Sequence, residues 1–495
     1  MQQIHNLIGG QSLATTSGRT SPVFNPATGE QSAELGLSSV DDVNLAVAAA
    51  QDAFETWGQS SLARRTKLMF NFRNLVEANA DEIGARLTAE HGKVLSDAKG
   101  EVARGLENIE YACGIAELLK GSYNEMASTG VDVYTVHQPL GVVCGITPFN
   151  FPAMVPLWMI PNAIACGNTF ILKPSEKDPS APLFIAELFH EAGFPDGVLN
   201  VVQGDKVAVD TLLEHPDVKA ASFVGSTPIA KYVSETANRH AKRVQALGGA
   251  KNHMIVLPDA DIDLAADSAV SAAYGSAGER CMAISVVAAV GEVADPLVDA
   301  IKVRMEKLTI GDGTEPDSEM GPLITREHRD KVAGYIGAGA DEGATVVVDG
   351  RETSFDGDGF FLGVSLLDNV TTDMTVYQDE IFGPVLSVVR VDTYQDGVDL
   401  IKDNPWGNGT AIFTSNGGAA RQFQMDADAG MVGINVPIPV PVGYHSFGGW
   451  KDSLFGDTTM YGPEGVRFYT RPKVITSRWP DPATSRVNLG FPTNQ

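Results

Sequence analysis

The hydrophobic positions of the chain predict a helical first part followed by a short β region. From residue 42 to residue 120, apolar residues recur every three or four positions, as at Ala46 and Ala49, and this spacing predicts amphipathic helices. Residues 131–146 (VDVYTVHQPLGVVCGI) are rich in valine, threonine and tyrosine, which favours strands. The late segment 466–477 (VRFYTRPKVITS) has the same character and predicts a strand that leaves the core.

The middle of the chain alternates short apolar strands with helices of about ten residues. This alternation predicts right-handed βαβ units and a parallel sheet, an architecture typical of nucleotide-binding domains. A second alternating region runs from residue 262 to about residue 415. The predicted strands are 168–172, 198–202, 220–224, 243–247, 284–289 and 385–390, and the predicted helices are 181–192, 207–214, 228–238 and 296–307.

Composition and charge exclude several classes of protein. With 43% hydrophobic and 20% charged residues, the chain is an ordinary globular sequence. Its 495 residues exceed what one core usually serves, so we expect about two or three domains. The 36 basic residues against 62 acidic ones give a formal net charge of −26, which argues against nucleic acid or membrane partners. The most apolar stretch, 140–172, is interrupted by prolines and predicts buried core rather than a membrane helix.

The four cysteines predict neither a disulfide framework nor a metal site. Cys113, Cys144, Cys166 and Cys281 form no CxxC pair and no cysteine–histidine pattern with ligand spacing. The first residues lack the basic and apolar segments of a secretory signal. We therefore expect a cytoplasmic protein with reduced thiols and no bound metal.

Cys281 is the candidate for a reactive group. It ends the segment 276–281 (SAGERC), whose small residues predict a bend with the positive Arg280 beside the thiol. Such a neighbour would lower the pKa of the thiol, and only the thiolate is a good nucleophile. A lone cysteine is more often a small core hydrophobe, and we interpret Cys113 and Cys166 in that way.

The segment SAGERC resembles the nucleophile motif of the aldehyde dehydrogenase superfamily, and other motifs follow in that family's order from about residue 20 to residue 478. The resemblance implies an α/β fold with a Rossmann-like cofactor domain, an α/β catalytic domain and a β oligomerisation arm. The family binds its dinucleotide without the GxGxxG fingerprint, and the nearest spacing here, in 337–343, predicts only a helix end. The motifs are 147–152 (TPFNFP), 167–169 (GNT), 173–176 (KPSE), 193–198 (GFPDGV), 223–226 (FVGS), 380–384 (EIFGP) and 447–451 (FGGWK).

The resemblance also implies how the domains divide the chain. Residues 1–122 and 142–248 would form the NAD-binding domain, and residues 249–446 the catalytic domain. Residues 123–141 and 466–495 would form the oligomerisation arm and the C-terminal tail. Because such an arm pairs with another subunit, we expect a homo-oligomer built as a dimer of dimers.

Two residues are implied in the chemistry. The Cys281 thiolate would add to an aldehyde, and the resulting oxyanion would be met by the side-chain amide of Asn150 and the backbone N–H of Cys281. On its own, Asn150 between two prolines would be interpreted as a turn residue. Hydride transfer to a nicotinamide would then leave an acyl thioester on Cys281.

The implied cofactor is NAD. Lys173 and Glu176 are three residues apart and can bind ribose hydroxyls, and Glu176 should repel the 2′-phosphate of NADP. Taken alone, Lys173 and Glu380 would be solvated surface charges. Lys177 stands where related sequences often carry arginine. The residues implied in cofactor binding are Thr147, Phe149, Lys173, Glu176, Lys177, Ser226, Gly248, Glu380 and Phe382.

The chain departs from hydrolytic members of the family at the position of their general base. Aligning the Leu-Gly-Gly of 247–249 places Ala246 where those members carry glutamate, and Thr458 takes the place of a second family carboxylate. Alanine accepts no proton, so water attack on the acyl-enzyme would lose about 10²–10⁴ in rate. A thiol acceptor needs less help, which makes coenzyme A the expected co-substrate.

Three segments resemble one branch of the family, which oxidises methylmalonate semialdehyde and malonate semialdehyde. They are 249–253 (GAKNH), 279–283 (ERCMA) and 435–441 (NVPIPVP). The resemblance implies loss of carbon dioxide and formation of propionyl-CoA and acetyl-CoA. These aldehydes carry a β-carboxylate, which needs a cation in the site.

Arg104 and Arg280 are the candidates for that cation. A guanidinium group matches a carboxylate bidentately. Arg280 lies beside the nucleophile, and Arg104 is a mid-helix arginine flanked by Ala103 and Gly105, so it can point into a cleft. Arg104 could instead form a surface ion pair with Glu101 or Glu107.

Two other classes of function remain open from the sequence. One is a hydrolytic semialdehyde dehydrogenase that uses a base we did not identify, and the released product, free acid or acyl-CoA, separates it from acyl transfer. The other is a non-catalytic protein on this fold, which a test for NADH formation excludes or establishes.

Overall fold

The computed structural model describes residues 2–479, 483, 486 and 487, and this part of the chain forms two large sheets and three small ones. The helices are α1 (Val40–Trp57), α2 (Leu62–Ala78), α3 (Ala80–His91), α4 (Leu95–Cys113), α5 (Ile115–Leu118), α6 (Met154–Ala165), α7 (Ser180–Glu191), α8 (Lys206–Glu214), α9 (Thr227–Arg239), α10 (Ile262–Tyr274), α11 (Ala294–Met305), α12 (Arg326–Asp341), α13 (Thr375–Gln378), α14 (Tyr394–Asp403), α15 (Gly417–Asp426) and α16 (Gly462–Phe468). The first strands are β1 (Gln2–Ile4), β2 (Asn6–Ile8), β3 (Gln11–Leu13), β4 (Arg19–Asn25), β5 (Glu30–Leu37), β6 (Tyr123–Ser128), β7 (Val131–Pro139), β8 (Val142–Ile146), β9 (Thr169–Lys173), β10 (Leu199–Val201), β11 (Val218–Val224) and β12 (Arg243–Leu247). The later strands are β13 (Asn252–Val256), β14 (Ile284–Val290), β15 (Thr345–Val348), β16 (Ser365–Asp368), β17 (Val385–Val391), β18 (Trp406–Gly407), β19 (Gly409–Phe413), β20 (Met431–Ile434), β21 (Trp450–Lys451), β22 (Leu454–Phe455) and β23 (Thr470–Arg478).

The helical first part of the chain is confirmed as α1–α5. Helix α1 begins at a capping box, in which Ser39 accepts from the N–H of Asp42 and the Asp42 carboxylate accepts from the N–H of Ser39. Of the predicted apolar stripe, Ala46 and Trp57 are buried, while Ala49 and Ala53 are partly buried. These helices cover the cofactor-side sheet through contacts such as that of α1 with β9.

The predicted parallel sheet is confirmed as the centre of an eight-stranded sheet with the order β22-β12-β11-β8-β9-β10-β2-β3. The chain runs from β8 outward through β9 and β10, then returns to place β11 and β12 on the other side of β8. In such doubly wound sheets the strand order reverses at one point, and ligands bind there beside the carboxyl ends of the strands. The reversal here lies between β8 and β11.

The second alternating region forms a seven-stranded sheet with the order β15-β16-β17-β14-β13-β19-β20. All of its pairings are parallel except that of β15 with β16. Residues 248–251 connect the carboxyl end of β12 to the amino end of β13. The chain therefore passes from the carboxyl edge of the first sheet to the amino edge of the second.

Helix α6 is the most buried part of the core. All twelve of its residues are buried, although the helix contains Pro161. An apolar helix of this length is a core element, as the sequence predicted for 140–172. Within the residues that the structure describes, no helix is both long and apolar enough to span a bilayer.

A separate three-stranded sheet, β23-β7-β6, carries the segment predicted as an arm. Strand β23 pairs antiparallel with the whole of β7, from Thr470 opposite Pro139 to Arg478 opposite Val131. The β region predicted for 131–146 is therefore two strands in different sheets, divided at Gly141, whose φ is +129°. Residues 480–482, 484, 485 and 488–495 of the predicted tail lie outside the described residues.

The predicted strand over 466–477 begins four residues too early. Residues 466–468 belong to α16, which starts with Gly462 and Pro463 and buries Val466 and Phe468 against the core. Proline is favoured in the first turn of a helix. In residues 466–468 this helix start outweighs the strand preference of valine and phenylalanine. Arg243 then caps the helix by donating to the carbonyl oxygens of Arg467 and Phe468.

Candidate active site

A cleft of about 770 Å³ lies where the two large sheets meet. It is lined by the turns that follow β8, β9, β11 and β12 and by the segments that precede β14 and β17. The two arginines predicted to bind the substrate carboxylate, Arg104 and Arg280, do not line this cleft. The lining includes every predicted catalytic and cofactor residue: Thr147, Phe149, Asn150, Lys173, Glu176, Lys177, Ser226, Gly248, Cys281, Glu380 and Phe382.

The backbone before Cys281 makes a left-handed turn. Ser276, Ala277 and Gly278 have φ of +54°, +53° and +73°, a conformation that costs non-glycine residues about 1–2 kcal/mol each. Gly278 has no space for a side chain, since a Cβ there would lie 2.2 Å from the carbonyl oxygen of Gly383. The buried side chain of Glu279 accepts from the N–H of Ile324 at 3.2 Å and ties the turn to its surroundings. The bend predicted from the sequence before Cys281 is therefore confirmed, and the close contact at Gly278 and the hydrogen bond of Glu279 fix its conformation.

The Cys281 thiol is not activated by Arg280. Burial, together with the nearby Glu380 carboxylate, raises the pKa of Cys281 to about 12, while Arg280 lowers it only weakly. The guanidinium of Arg280 donates to Asp97 at 2.7 Å, so its charge is already paired. Arg280 therefore acts on the pKa of the thiol in the predicted direction, but burial and Glu380 outweigh it, so the expectation that Cys281 has a lowered pKa is wrong.

The other three cysteines are core residues, as predicted for Cys113 and Cys166. All three are free and buried. Burial raises the pKa of Cys113 to about 11 and those of Cys144 and Cys166 to about 12.

Asn150 is held by a buried ion pair that the sequence analysis missed. Lys93 Nζ donates to the backbone carbonyl of Asn150 at 2.7 Å and to Glu101 at 2.6 Å. The other oxygen of Glu101 accepts from the N–H groups of Ala153 and Met154, at the start of α6. Both charged side chains are fully buried. The signal was present, because Glu101 interrupts the apolar face of α4, and a buried charge needs a partner.

Phe149 forms the aromatic wall of the cofactor side. One contact is with His91, a stacked ring at a centroid distance of 6.0 Å, and another is with Phe382, which lies edge-on at 5.9 Å. Lys177 Nζ lies 4.7 Å from the centre of the Phe149 ring, within the range of a cation–π interaction. Phe382 has φ of +58°, and His328 contacts its carbonyl oxygen at 2.7 Å.

Lys173 and Glu176 meet as the spacing predicted. The ammonium of Lys173 lies 3.2 Å from the Glu176 carboxylate, at the carboxyl end of β9. Burial opposes the charge of Glu176, but Lys173 and Lys177 outweigh it, and the pKa of Glu176 is lowered. The Glu176 carboxylate is therefore ionised at neutral pH and can accept hydrogen bonds from hydroxyl groups.

Glu380 reaches across from the second sheet to the turn after β12. Its Oε1 accepts from the N–H of Ala250 at 2.9 Å. A Cβ on Gly249 would lie 2.2 Å from Oε2, so the close approach requires glycine there. Burial raises the pKa of Glu380 to about 7.

The cleft fits a dinucleotide. Its position at the strand-order reversal is where such sheets bind nucleotides, and it offers the Lys173–Glu176 pair for a ribose. Thr147 Oγ1 is buried and has no hydrogen-bond partner within the protein, and the side chain of Ser226 leaves the amino end of α9 uncapped. These unsatisfied groups suit a polar ligand.

Arg104 lies outside the lining of this cleft, beside residues 440 and 441. It donates to both oxygens of Glu107, at 3.0 and 3.1 Å, and to the carbonyl oxygens of Val440 and Pro441. The side chain of Val440 packs against the same hydrophobic cluster as Cys281. The ion pair with Glu107 is therefore present, and the side chain of Arg104 is 34% exposed.

Arg280 lies outside the cleft, in a second cavity of about 890 Å³. Its guanidinium fills the space beside Gly275, where a Cβ would lie 2.6 Å from Nη1. The ion pair with Asp97 and this close fit hold it away from the thiol. Arg280 is therefore absent from the main cleft, although it lines a small separate cavity together with Cys281, Glu380 and Phe382.

The position at which hydrolytic members of the family carry their general base is occupied here by a residue of the hydrophobic core. Ala246 is fully buried and packs in the cluster that contains Ile146 and Phe223. Thr458 contacts the neighbouring Gln245 at 3.4 Å. Among the described residues, the carboxylates that line the cleft are Glu176, Asp205 and Glu380.

A thiol and an amide line one cleft, at an edge where parallel sheets of this kind bind nucleotides, which is the arrangement that the resemblance to aldehyde-oxidising oxidoreductases implied. The profile of the aldehyde dehydrogenase family matches residues 13–475, and the chain belongs to that family. Its fold is the aldehyde dehydrogenase fold, as the motifs implied. In the described part of the chain, no group of three or more histidine, cysteine or acidic side chains could hold a metal ion.

The chain is similar over its whole length to semialdehyde dehydrogenases. It is 55% identical to malonate-semialdehyde dehydrogenase of Pseudomonas aeruginosa over 100% of both chains. The solved structure of methylmalonate-semialdehyde dehydrogenase from Oceanimonas doudoroffii is 56% identical, with a TM-score of 0.96 over 98% of this chain and 99% of that one. A Sinorhizobium meliloti structure, described as a methylmalonate-semialdehyde dehydrogenase complexed with NAD, is 51% identical, with a TM-score of 0.97 over the same shares.

Proposed function

We propose that the protein oxidises malonate semialdehyde and methylmalonate semialdehyde with NAD and transfers the decarboxylated acyl group to coenzyme A. The substrates are those named for its similar proteins, and NAD is bound in one of the similar structures. The observation that carries the acyl-transfer part is Ala246, which supplies no base at the position where hydrolytic members of the family carry glutamate.

Cys281 begins the reaction by attack on the aldehyde carbon. A carbon–sulfur bond forms, and the carbonyl oxygen becomes an oxyanion that the Asn150 amide and the Cys281 N–H stabilise. Lys93 and Glu101 hold the Asn150 loop in place for this role. When bound, NAD accepts the hydride that the adduct loses. The product on the enzyme is a thioester of Cys281.

Release of the acyl group requires a nucleophile that can act without a protein base. Glu380 is held by the N–H of Ala250, and Glu176 is paired with Lys173. The thiol of coenzyme A is partly ionised near neutral pH, and its thiolate forms a bond to the thioester carbon while the Cys281 sulfur leaves as a thiolate. A β-carboxyl thioester also loses carbon dioxide readily, because the electrons of the broken carbon–carbon bond pass into the thioester carbonyl, and the resulting enolate takes a proton from water at carbon.

The test of this function is the identity of the product. We expect malonate semialdehyde, NAD and coenzyme A to give acetyl-CoA, and methylmalonate semialdehyde to give propionyl-CoA, both identified by mass spectrometry. Free acid formed at the same rate with and without coenzyme A would instead support the hydrolytic alternative, with Glu380 as the base.

We predict that the enzyme prefers NAD to NADP because of Glu176. A carboxylate beside the ribose repels a 2′-phosphate, an effect worth about tenfold or more in kcat/KM. Glu176→Gln should narrow the preference, whereas Asp205→Asn, a change at another cleft carboxylate, should leave it unchanged. Equal kcat/KM for both cofactors in the unaltered enzyme would contradict the prediction.

We propose that Arg104 binds the substrate carboxylate. Arg104→Leu should lower kcat/KM for malonate semialdehyde far more than for propanal, because losing a charge-assisted bidentate partner costs ~2–5 kcal/mol. Arg280→Leu is the informative comparison, since Arg280 would have to leave Asp97 to reach the same carboxylate. The matched control is Arg86→Leu, which removes a surface ion pair with Glu82.

Equal losses on the charged and the neutral aldehyde would give Arg104 a structural role, as the anchor of the Val440–Pro441 carbonyls. A selective loss in Arg280→Leu would show that this side chain moves when substrate binds.

We also propose that the sheet β23-β7-β6 serves as an arm between subunits of a homo-oligomer, a dimer of dimers. Tyr123, Met126 and Val474 of this sheet are apolar side chains that are exposed, by 61%, 59% and 65% respectively.

We propose the domain division into 1–122 with 142–248, and 249–446, because strands β8–β12 lie in one large sheet and β13–β17 lie in the other. The four free thiols fit a cytoplasmic location.

A further inference from the structure

Lys251 is a buried lysine in the segment that links the two large sheets. It is 3% exposed and directly precedes β13. Its Nζ donates to the carbonyl oxygens of Val376 and Asp379, each at 2.7 Å. Burial lowers the pKa of Lys251 to about 7, and both the ammonium and the neutral amine have N–H groups for these two bonds. Because burying a lysine without partners is costly, these two contacts account for its place in the core.

The two carbonyl groups belong to the turn that ends at Glu380. Val376 lies in α13 and Asp379 directly follows that helix, so the Asp379 carbonyl and the Glu380 N–H share one peptide group. The Glu380 carboxylate accepts from the N–H of Ala250 at 2.9 Å. Two neighbouring residues of the linker therefore hold Glu380 at both ends, Ala250 at the carboxylate and Lys251 at the backbone.

The linker is itself anchored to other parts of the fold. The carbonyl oxygen of Lys251 accepts from Asn404 Nδ2 at 2.9 Å. The N–H of Gly249 donates to Oγ1 of Thr227 at 2.8 Å, at the start of α9. Lys251 therefore joins the Glu380 turn to a segment of backbone whose own position is fixed.

Glu380 faces the part of the cleft that the nicotinamide must reach. In the proposed reaction the hydride leaves the carbon bonded to Cys281, so the nicotinamide ring has to lie close to that sulfur. Glu380 lines both the main cleft and a small cavity of about 20 Å³ together with Cys281. A carboxylate accepts hydrogen bonds from neighbouring hydroxyl groups, so Glu380 suits the ribose next to the nicotinamide. The adenosine ribose is assigned to Lys173 and Glu176.

We propose that Lys251 is a positioning residue, which acts through the Asp379–Glu380 peptide to hold the Glu380 carboxylate at the nicotinamide ribose of NAD. This inference rests on the proposed function, in which NAD occupies this cleft and Cys281 is the nucleophile. A carboxylate that is fixed before NAD arrives stabilises the bound cofactor, because the turn loses no conformational freedom when NAD binds.

The test compares NAD with AMP, which contains the adenosine ribose but no nicotinamide ribose. Each Kd is measured by isothermal titration calorimetry on the full chain. We expect Lys251→Met, which keeps the apolar stem and removes the donors, to raise the Kd for NAD about tenfold and to leave the Kd for AMP unchanged. The NADH burst with malonate semialdehyde should also become slower, because the nicotinamide is held less well against the adduct.

A double-mutant cycle with Glu380→Ala separates positioning from a general loss of structure. If Lys251 acts through the Glu380 carboxylate, Lys251→Met should hardly change the Kd for NAD once that carboxylate has been removed. Independent effects would instead multiply in the double variant, and that result would overturn the proposal. If the methionine variant does not fold, Lys251→Arg enters the same comparison, since it keeps the charge but displaces the donors, and a smaller loss confined to NAD is expected.

The matched control is Lys242→Met. Lys242 is also buried, at 5% exposure, and donates to two backbone carbonyls, those of His215 and Val218, but it does not line the cleft. Thermal stability should fall in both lysine variants, whereas the Kd for NAD should rise only in Lys251→Met. Equal increases of the Kd for NAD and for AMP in Lys251→Met would overturn the proposal and leave the proposed function intact. An unchanged Kd for NAD in Glu380→Ala would instead overturn the proposed cofactor role of Glu380.

Discussion

Replacing Cys281 with alanine should abolish NADH formation while NAD still binds. Without a sulfur there is no covalent adduct, and removing the nucleophile of a covalent mechanism typically costs about 10⁴-fold or more in kcat. NAD should still bind because the residues that line its part of the cleft, such as Lys173 and Glu176, are unchanged. NADH absorbance measures the first effect, and quenching of protein fluorescence measures the second.

The matched control for this change is Cys166→Ala. Cys166 is equally a free thiol, but it is buried in the core at the end of α6 and does not line the cleft. We expect lower thermal stability and near-normal turnover. Substantial NADH formation by Cys281→Ala would remove the nucleophile assignment altogether.

Steady-state turnover should depend on coenzyme A by about 10²–10⁴-fold, the usual contribution of a general base. Ala246 supplies no proton acceptor, so water reacts slowly with the thioester, whereas the thiol of coenzyme A needs no base. We expect Ala246→Glu to raise the turnover without coenzyme A, because the new carboxylate would stand where hydrolytic relatives carry theirs.

The control for that variant is Ala246→Gln, which matches its size without adding a base. Both must displace buried neighbours such as Phe223, so both should be less stable. A rise in the coenzyme-A-independent rate in the glutamate variant alone would support the missing base. Equal rates in both variants would show that the carboxylate does not reach the acyl carbon.

The parallel sheet and the residues at its carboxyl edge could be predicted from the sequence. The alternation of apolar strands with helices fixes the order of β8 to β12, and Thr147, Lys173 and Ser226 follow or end those strands. Because parallel strands place their carboxyl ends on one edge, such residues converge without knowledge of the packing. The family motifs then placed Cys281 and Glu380 opposite them, where the structure has them.

Interactions that depend on side-chain direction could not be predicted. Arg280 adjoins the nucleophile in sequence but turns to Asp97, and Lys93 supports Asn150 from 57 residues away. The helical conformation of residues 466–468 was likewise not predicted. Their side chains favour a strand, and the tertiary contacts that bury Val466 and Phe468 in a helix cannot be seen in the local sequence.

The most direct measurement of the central claim is the amplitude of the first NADH burst in the absence of coenzyme A. With saturating NAD and malonate semialdehyde, we expect about one NADH per active site, followed by a slow phase, because the acyl thioester on Cys281 accumulates. Adding coenzyme A should then restore many turnovers and yield acetyl-CoA. Rapid linear NADH formation without coenzyme A, with free acid as the product, would contradict acyl transfer.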